Sequence, residues 1–299
     1  MTTGLSDYQW LIDQLDAFCS SSQLSRIGQT RVATYLKNLR RLRSAMNEGR
    51  LHEIDDRETL WSLVEGFELA TAYSSCEGLA SPQLQERYRH IIKGHSDISN
   101  ETETSNRPRN LAFELNLASY LVERGIDVQF KENPDLHCRV DEIEVLIQCK
   151  RPFRASTLLN NLKEAGDQLT RDLNFVKDNH ARGIAALSCS RILNDGNELF
   201  RARTQAELSQ LISSSIIKIV GDAAHRFTAD KRIVGCVFHV ITPVVTEDTG
   251  FSYGIGQELV AYPALNSTSK DQELLWKMFM PDYASIRPVY AASKAGDRV

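Results

Sequence analysis

Several function-bearing patterns are missing from this 299-residue chain. Its six cysteines, Cys19, Cys76, Cys138, Cys149, Cys189 and Cys236, form no Cys-x-x-Cys pair, which removes the usual spacing of a zinc site. No Gly-Lys-Ser/Thr accompanies Gly250, Gly254 and Gly256. Those glycines, around Phe251 and Tyr253, read as a turn or hairpin and not as a phosphate loop. Gly-x-Ser-x-Gly is absent, so serine-hydrolase chemistry has no support. No apolar run approaches the roughly 20 residues that a membrane helix needs. The opening MTTGLSDYQW has neither a basic nor an apolar signal region, so no signal peptide is expected. Excess basic charge is lacking too. A net charge of −4 and a pI near 6.0 argue against bulk polyanion binding, although the sum leaves room for a local basic face.

What is present is ordinary for a globular protein: 42% hydrophobic and 25% charged residues, enough for one large domain or two modest ones. Cys138, Cys149, Cys189 and Cys236 lie in apolar strand-like runs and read as core thiols. A reducing, cytoplasmic compartment is the corresponding expectation.

Helical periodicity dominates up to about Ile92. Trp10, Leu11, Leu15 and Phe18 share a stripe. A second helix over Gln29–Asn47 turns Val32, Tyr35, Leu36, Leu39, Leu42 and Met46 inward, with Arg31, Lys37, Arg40, Arg41 and Arg43 outward. A third helix, or a pair of helices, covers Ile54–Ser74. Ser81-Pro82 starts a fourth, with serine as N-cap and proline at N1. Arg89 and His95 have an Arg-x5-His spacing known from helical ribonuclease domains, but Gly94 would break the helix such a pair needs. The stretch 94–107 is polar and aperiodic. The expected organisation is a helical domain over 1–95, a linker at 96–107, an α/β domain over 108–245 and an extension over 246–299.

Within the α/β part the pattern predicts a helix over Pro108–Arg124 stopped by Gly125. Strands follow at Ile126–Phe130, Leu136–Val140 and Glu142–Lys150. A helix over Thr157–Lys177, a strand over Gly183–Cys189, a helix over Thr204–Phe227 and a strand over Ile233–Val245, broken by Pro243, complete it. This order predicts a mixed sheet with flanking helices. In the extension, a hairpin near Gly250–Gly256 and a helix over Lys270–Met280 are expected.

The polar residues of these elements are the candidates for chemistry. Pro134-Asp135 opens one strand, and Gln148-Cys149-Lys150 closes the next. Alternation puts Gln148 and Lys150 on one strand face, with Ile147 and Cys149 turned into a core. A lysine at the end of a buried strand needs a partner or a task. Glu114 lies on or beside the apolar stripe Leu111, Leu115, Ala118, Val122. It therefore needs a cation, with Arg107, Arg109 or a strand lysine as the structural partner, or a metal facing Asp135. Glu144 shares the Gln148 face but lies about 13 Å away along the strand, which reads as an exposed strand-start charge. Asp141 and Glu142 read as turn residues. His137 flanks Asp135 if the strand is regular.

This set resembles the PD-(D/E)xK nuclease superfamily, in its Mrr-like restriction-endonuclease branch, over about Arg107–Ser190. Pro134-Asp135 matches the family's Pro-Asp, Gln148-Cys149-Lys150 its acidic-x-Lys with Gln in the acid's place, and Glu114 its helix Glu. The resemblance implies a restriction-endonuclease-like αβββαβ core beside an all-α N-terminal domain. It implies Mg²⁺- or Mn²⁺-dependent phosphodiester hydrolysis, with DNA as partner, in prokaryotic restriction or defence, and it allows a homodimer with one site per strand. Asp135, Gln148, the Cys149 carbonyl and Glu114 would hold metal, a hard cation that takes oxygen ligands. Lys150 would orient a water or offset charge on the phosphate. Arg151, Arg154, Lys163, Gln168 and Arg171 would follow the nucleic acid. Replacement of the acid by Gln148 keeps a second expectation open, a catalytically inactive nucleic-acid-binding or scaffolding protein on the same fold. A third is an unrelated interaction module in which Asp135 and Lys150 simply pair.

Overall fold

The computed structural model describes residues 5–21, 30–54, 57–79, 81–196, 198–227, 230–246, 252–279 and 285–288. The amino-terminal half supplies helices α1 (Leu5–Ser21), α2 (Arg31–Asn47), α3 (Arg57–Cys76) and α4 (Pro82–Ile91). Ser81 caps α4 as its sequence demands, its Oγ accepting from Leu84 N–H at 3.0 Å. This helix ends at Ile91, before Gly94, so Arg89 and His95 do not share one helix.

Helix α5 (Arg107–Glu123) follows, and Gly125 beyond it takes φ +76°, the left-handed conformation that favours glycine. The order then runs β1 (Asp127–Phe130), β2 (Leu136–Val140), β3 (Ile143–Lys150), α6 (Leu158–Phe175), β4 (Arg182–Ser188), α7 (Ser190–Leu193), β5 (Phe200–Ala202), α8 (Gln205–His225), β6 (Ile233–Thr246), β7 (Ser252–Pro263), α9 (Ser269–Phe279) and β8 (Ser285–Pro288).

The architecture is mixed α/β. One sheet has the order β1-β2-β3-β4-β6-β7-β8, with β5 pairing the end of β6. The hairpin β1-β2-β3 is antiparallel, whereas β3-β4 and β4-β6 are parallel. Parallel neighbours need a crossover, and α6 supplies it between β3 and β4. Helices α3 and α5 lie against one face, with α1, α2 and α4 packed on them, while α6 and α8 cover the other. Covered on both sides, β6 is buried along its whole length and is mostly apolar, as a central strand should be, with His239, Thr242 and Thr246 as its polar members.

Strand β6 continues through Pro243, contrary to the expected break. The Ile241 N–H points away from β7 to Ser190 Oγ at 2.9 Å, so the Pro243 nitrogen, two residues on, faces the same way. There β4 has ended at the His239 pair and β5 begins only at Val244, so no ladder bond is lost.

Three smaller expectations change. Arg31 is 4% exposed and belongs inside α2, not on its outer face, and Trp10 is 38% exposed. Within the expected linker, Ile98 and Glu101 are buried, and the hydrophobic cluster is continuous from α1 to α9. Gly250 and Phe251 of the expected hairpin lie outside the described residues, as does Met280. All six cysteines are buried and unpaired, as core thiols are expected to be. Among the described residues no helix is long and apolar enough to cross a membrane.

Candidate functional site

The alternation read from β3 is present. Ile147 and Cys149 enter the core beneath α5, while Leu146 packs under α6, which puts Gln148 and Lys150 on the α6 face. Register Leu136↔Ile147 brings Asp135, just before β2, beside Gln148. Gln148 Nε2 donates to Asp135 Oδ2 at 2.5 Å, and the Cys149 N–H donates to the same oxygen at 2.8 Å. One residue's N–H and C=O leave a strand on the same edge, so the Cys149 carbonyl is also directed to the Asp135 side.

Gln148 is 5% exposed and its Oε1 has no hydrogen-bond partner. The amide cannot turn over, because Oε1 would then meet a carboxylate oxygen. A buried acceptor left without a donor costs about 1–3 kcal/mol, so Oε1 is the atom here most in need of a ligand.

Glu114 is 6% exposed, and its Oε2 accepts from Arg87 Nε at 2.8 Å. The partner cation thus comes from α4, and not from Arg107, Arg109 or a strand lysine. Arg109 instead pairs with Glu65. Arg87 also donates from Nη2 to the carbonyls of Lys131 at 2.7 Å and Asp135 at 3.3 Å, with Phe130 below its guanidinium at 5.1 Å. Burial, and then the charge of Asp135, push the Glu114 carboxyl up to about 7 against the pull of Arg87. The Asp135 carboxyl is raised by burial, while the Cys149 N–H, Arg87 and Lys150 oppose the rise. Glu114 and Asp135 open on one cleft of about 350 Å³ with Arg87, Arg107 and Lys131.

Lys150 lies on the α6 face of β3 and does not line this cleft, so Glu114, Asp135 and Lys150 do not converge on it. It makes no ion pair with Asp135. Its Nζ stands 2.9 Å from Glu164 Oε1, which also accepts from Gln168 Nε2 at 3.3 Å. Glu164 and Gln168 are one turn apart on α6, on the same face.

The expected nucleic-acid residues divide. Arg151 needs correction: it is 6% exposed and donates to the buried Glu101 at 2.5 Å. It continues the Ile147–Cys149 alternation into the helical side, away from any phosphate path. Arg154 is exposed, 3.5 Å from Glu103. Lys163 and Arg171 are exposed on α6, with Arg171 and Gln168 lining a second cleft of about 540 Å³ beside His137 and Asp172. His137 does flank the site, on the Gln148 face. Glu144 is half-buried, with its Oε1 2.6 Å from His137 Nε2, and is not the exposed strand-start charge expected. Burial holds the His137 imidazole below its ordinary range.

Arg87, Glu164 and Asp172 are additions that sequence reading missed. Glu164 had a signal, its i,i+4 spacing to Gln168; Arg87 had none.

The oxygen set fits a hard divalent cation: the Asp135 carboxylate, unpartnered Gln148 Oε1 and the Cys149 carbonyl, with Glu114 in the adjoining cleft. Among the described residues no group of three or more His, Cys, Asp or Glu side chains is placed to hold a metal, so two of these donors would be neutral. Comparison with family models, curated proteins and solved structures returns no match.

Proposed function

We propose that this chain is a metal-dependent nuclease that hydrolyses phosphodiester bonds, with DNA as its substrate. The observation that carries the reading is the buried, unpartnered Gln148 Oε1 beside the Asp135 carboxylate. The order α5-β1-β2-β3-α6-β4 supports it, because it follows the αβββαβ arrangement of restriction-endonuclease-like cores.

Asp135, Gln148 and the Cys149 carbonyl would hold Mg²⁺ or Mn²⁺, with Glu114 as a further ligand. Such an ion, when bound, polarises a phosphoryl oxygen and lowers the pKa of water. The chain's own residues do the rest. Lys150 sets a positive charge against the charge that develops on the phosphate. Glu164 holds that ammonium in place. Arg87 keeps a cation against Glu114 and braces the turn that carries Asp135. The same reading makes the protein a cytoplasmic participant in prokaryotic restriction or defence.

One observation favours a second reading, a non-catalytic nucleic-acid-binding or scaffolding protein. Arg87 already pairs with Glu114, and Glu164 with Lys150, so these charged members have counterions within the protein. Incubation with plasmid, linear duplex and single-stranded DNA, in Mg²⁺, Mn²⁺ or EDTA, separates the two. The nuclease reading expects metal-dependent cleavage that is lost in Lys150→Ala. Intact substrate in every lane leaves the second reading.

A further inference from the structure

The cleft of about 540 Å³ beside the site lies between α6 and the β2–β3 pair. Its lining includes Pro134, His137, Leu146, Gln168, Asp172 and Phe175. Pro134 adjoins Asp135, and Leu146 precedes Gln148 by two residues on the same strand face, so the cleft begins where the Asp135 site ends. Its volume falls within the usual range of small-ligand sites, about 300–1,000 Å³, and suits one nucleotide.

Three features give the cleft a chemical preference. Phe175 is 86% exposed, whereas Leu158, Leu162, Leu169 and Leu173 of the same helix are buried. An aromatic face open at a cleft is a stacking platform for a base. Gln168 Oε1 and Asp172 Oδ2, one turn apart, are buried acceptors with no donor. They call for a ligand edge rich in N–H groups. Lys131 and Arg171 line the same cleft with positive charge. Glu144, whose Oε1 lies 2.6 Å from His137 Nε2, lines the cleft as well, so two carboxylates, Glu144 and Asp172, face a ligand there.

We infer that this cleft takes one unpaired nucleotide of a single strand next to the scissile phosphate, its base stacked on Phe175 and its donor edge on Gln168 and Asp172. Guanine fits best, because its N1–H and N2–H₂ are adjacent donors; thymine offers one N–H between two acceptors. In a duplex that edge is occupied by the pairing base, so the cleft excludes paired nucleotides. The inference rests on the nuclease reading for the identity of its ligand as a nucleotide.

The test is fluorescence anisotropy of the full chain in EDTA. The probes are a labelled thymine decamer, the same decamer with one central guanine, its duplex, and free GMP as competitor. The guanine strand should bind about tenfold more tightly than the thymine strand, and the duplex more weakly than either. Phe175→Ala should weaken strand binding on the order of ten- to a hundredfold. Asp172→Asn should erase the guanine preference while retaining thymine-strand binding. Unchanged strand affinity in Phe175→Ala, a duplex bound as well as the strand, or GMP competing as well as the strand overturns the inference. Cleavage in Mg²⁺ without Phe175-dependent binding sinks this inference alone. Phe175-dependent binding without cleavage in any metal sinks the nuclease reading and leaves the cleft standing.

Discussion

Arg87 Nε stands 2.8 Å from Glu114 Oε2, and both side chains are more than nine-tenths buried. The pair joins α4 of the helical layer to α5, whose carboxylate faces the Asp135 turn. Through Nη2 the same guanidinium holds the carbonyls of Lys131 and Asp135, so one residue fixes both the charge and the backbone of the site.

Removing one member of such a pair strands the other. Arg87→Met should lower unfolding free energy by about 3–5 kcal/mol, because Glu114 is left buried without its cation. The double variant Arg87→Met, Glu114→Met should recover most of that loss. Urea unfolding of the three proteins measures it. A single variant as stable as the parent refutes the structural role of the pair.

The titration of Glu114 has a defined sign. Its carboxyl lies near 7 in the folded chain against an ordinary 4.5, so the folded state binds the proton more tightly than the unfolded chain does. The stability it contributes is complete below 4.5 and is lost as pH rises through 7. Burial raises Glu68 as well, so the contribution of Glu114 is read as a difference. Between those limits the gap between parent and Glu114→Gln should shrink with rising pH, and it should level off above 7. Urea midpoints across the window check this. Metal-dependent cleavage, which needs the ionised carboxylate, should rise through the same range.

Lys150 and Glu164 should separate in kinetics. Lys150→Ala should lower kcat by about 10²–10³, since it removes the charge set against the phosphate. Glu164→Gln acts only through the position of that ammonium, so its loss should be smaller and should fall on kcat more than on KM. Equal losses in both variants would place Glu164 among the groups that touch substrate or metal.

Arg151 and Arg154 are three residues apart and should behave as different kinds of residue. Arg151→Ala leaves Glu101 buried and unpaired and should cost about 3–5 kcal/mol of stability. Arg154→Ala should leave stability within about 0.5 kcal/mol. If Arg154 meets a phosphate, its loss should reduce the salt dependence of DNA binding by about one counterion. Thermal melts and anisotropy at several salt concentrations distinguish the two.

Much of this was legible in the chain. Expected and observed bounds of α5, β2, β3 and α6 agree within two residues, because their apolar periods are local and each element buries its own stripe. The two faces of β3 follow from alternation alone, and so does the fate of Arg151: two residues after Cys149, it shares the buried face. Nearness to Lys150 along the chain said nothing about nearness in space. Pro243 was misread because a proline breaks a strand only where its missing N–H would have met a partner.

By itself the sequence determined the faces that frame the site: Gln148 and Lys150 together, Glu114 on the buried side of α5, Gln168 one turn beyond Glu164. Only the tertiary structure decided which charges meet. Arg87 lies 27 positions before Glu114, and Lys150 lies 14 before Glu164. Local periodicity orients a side chain, whereas the partner of a buried charge depends on how helices dock on the sheet. The same docking leaves Gln148 Oε1 unpartnered beside Asp135, an atom whose need for a ligand no spacing could have shown.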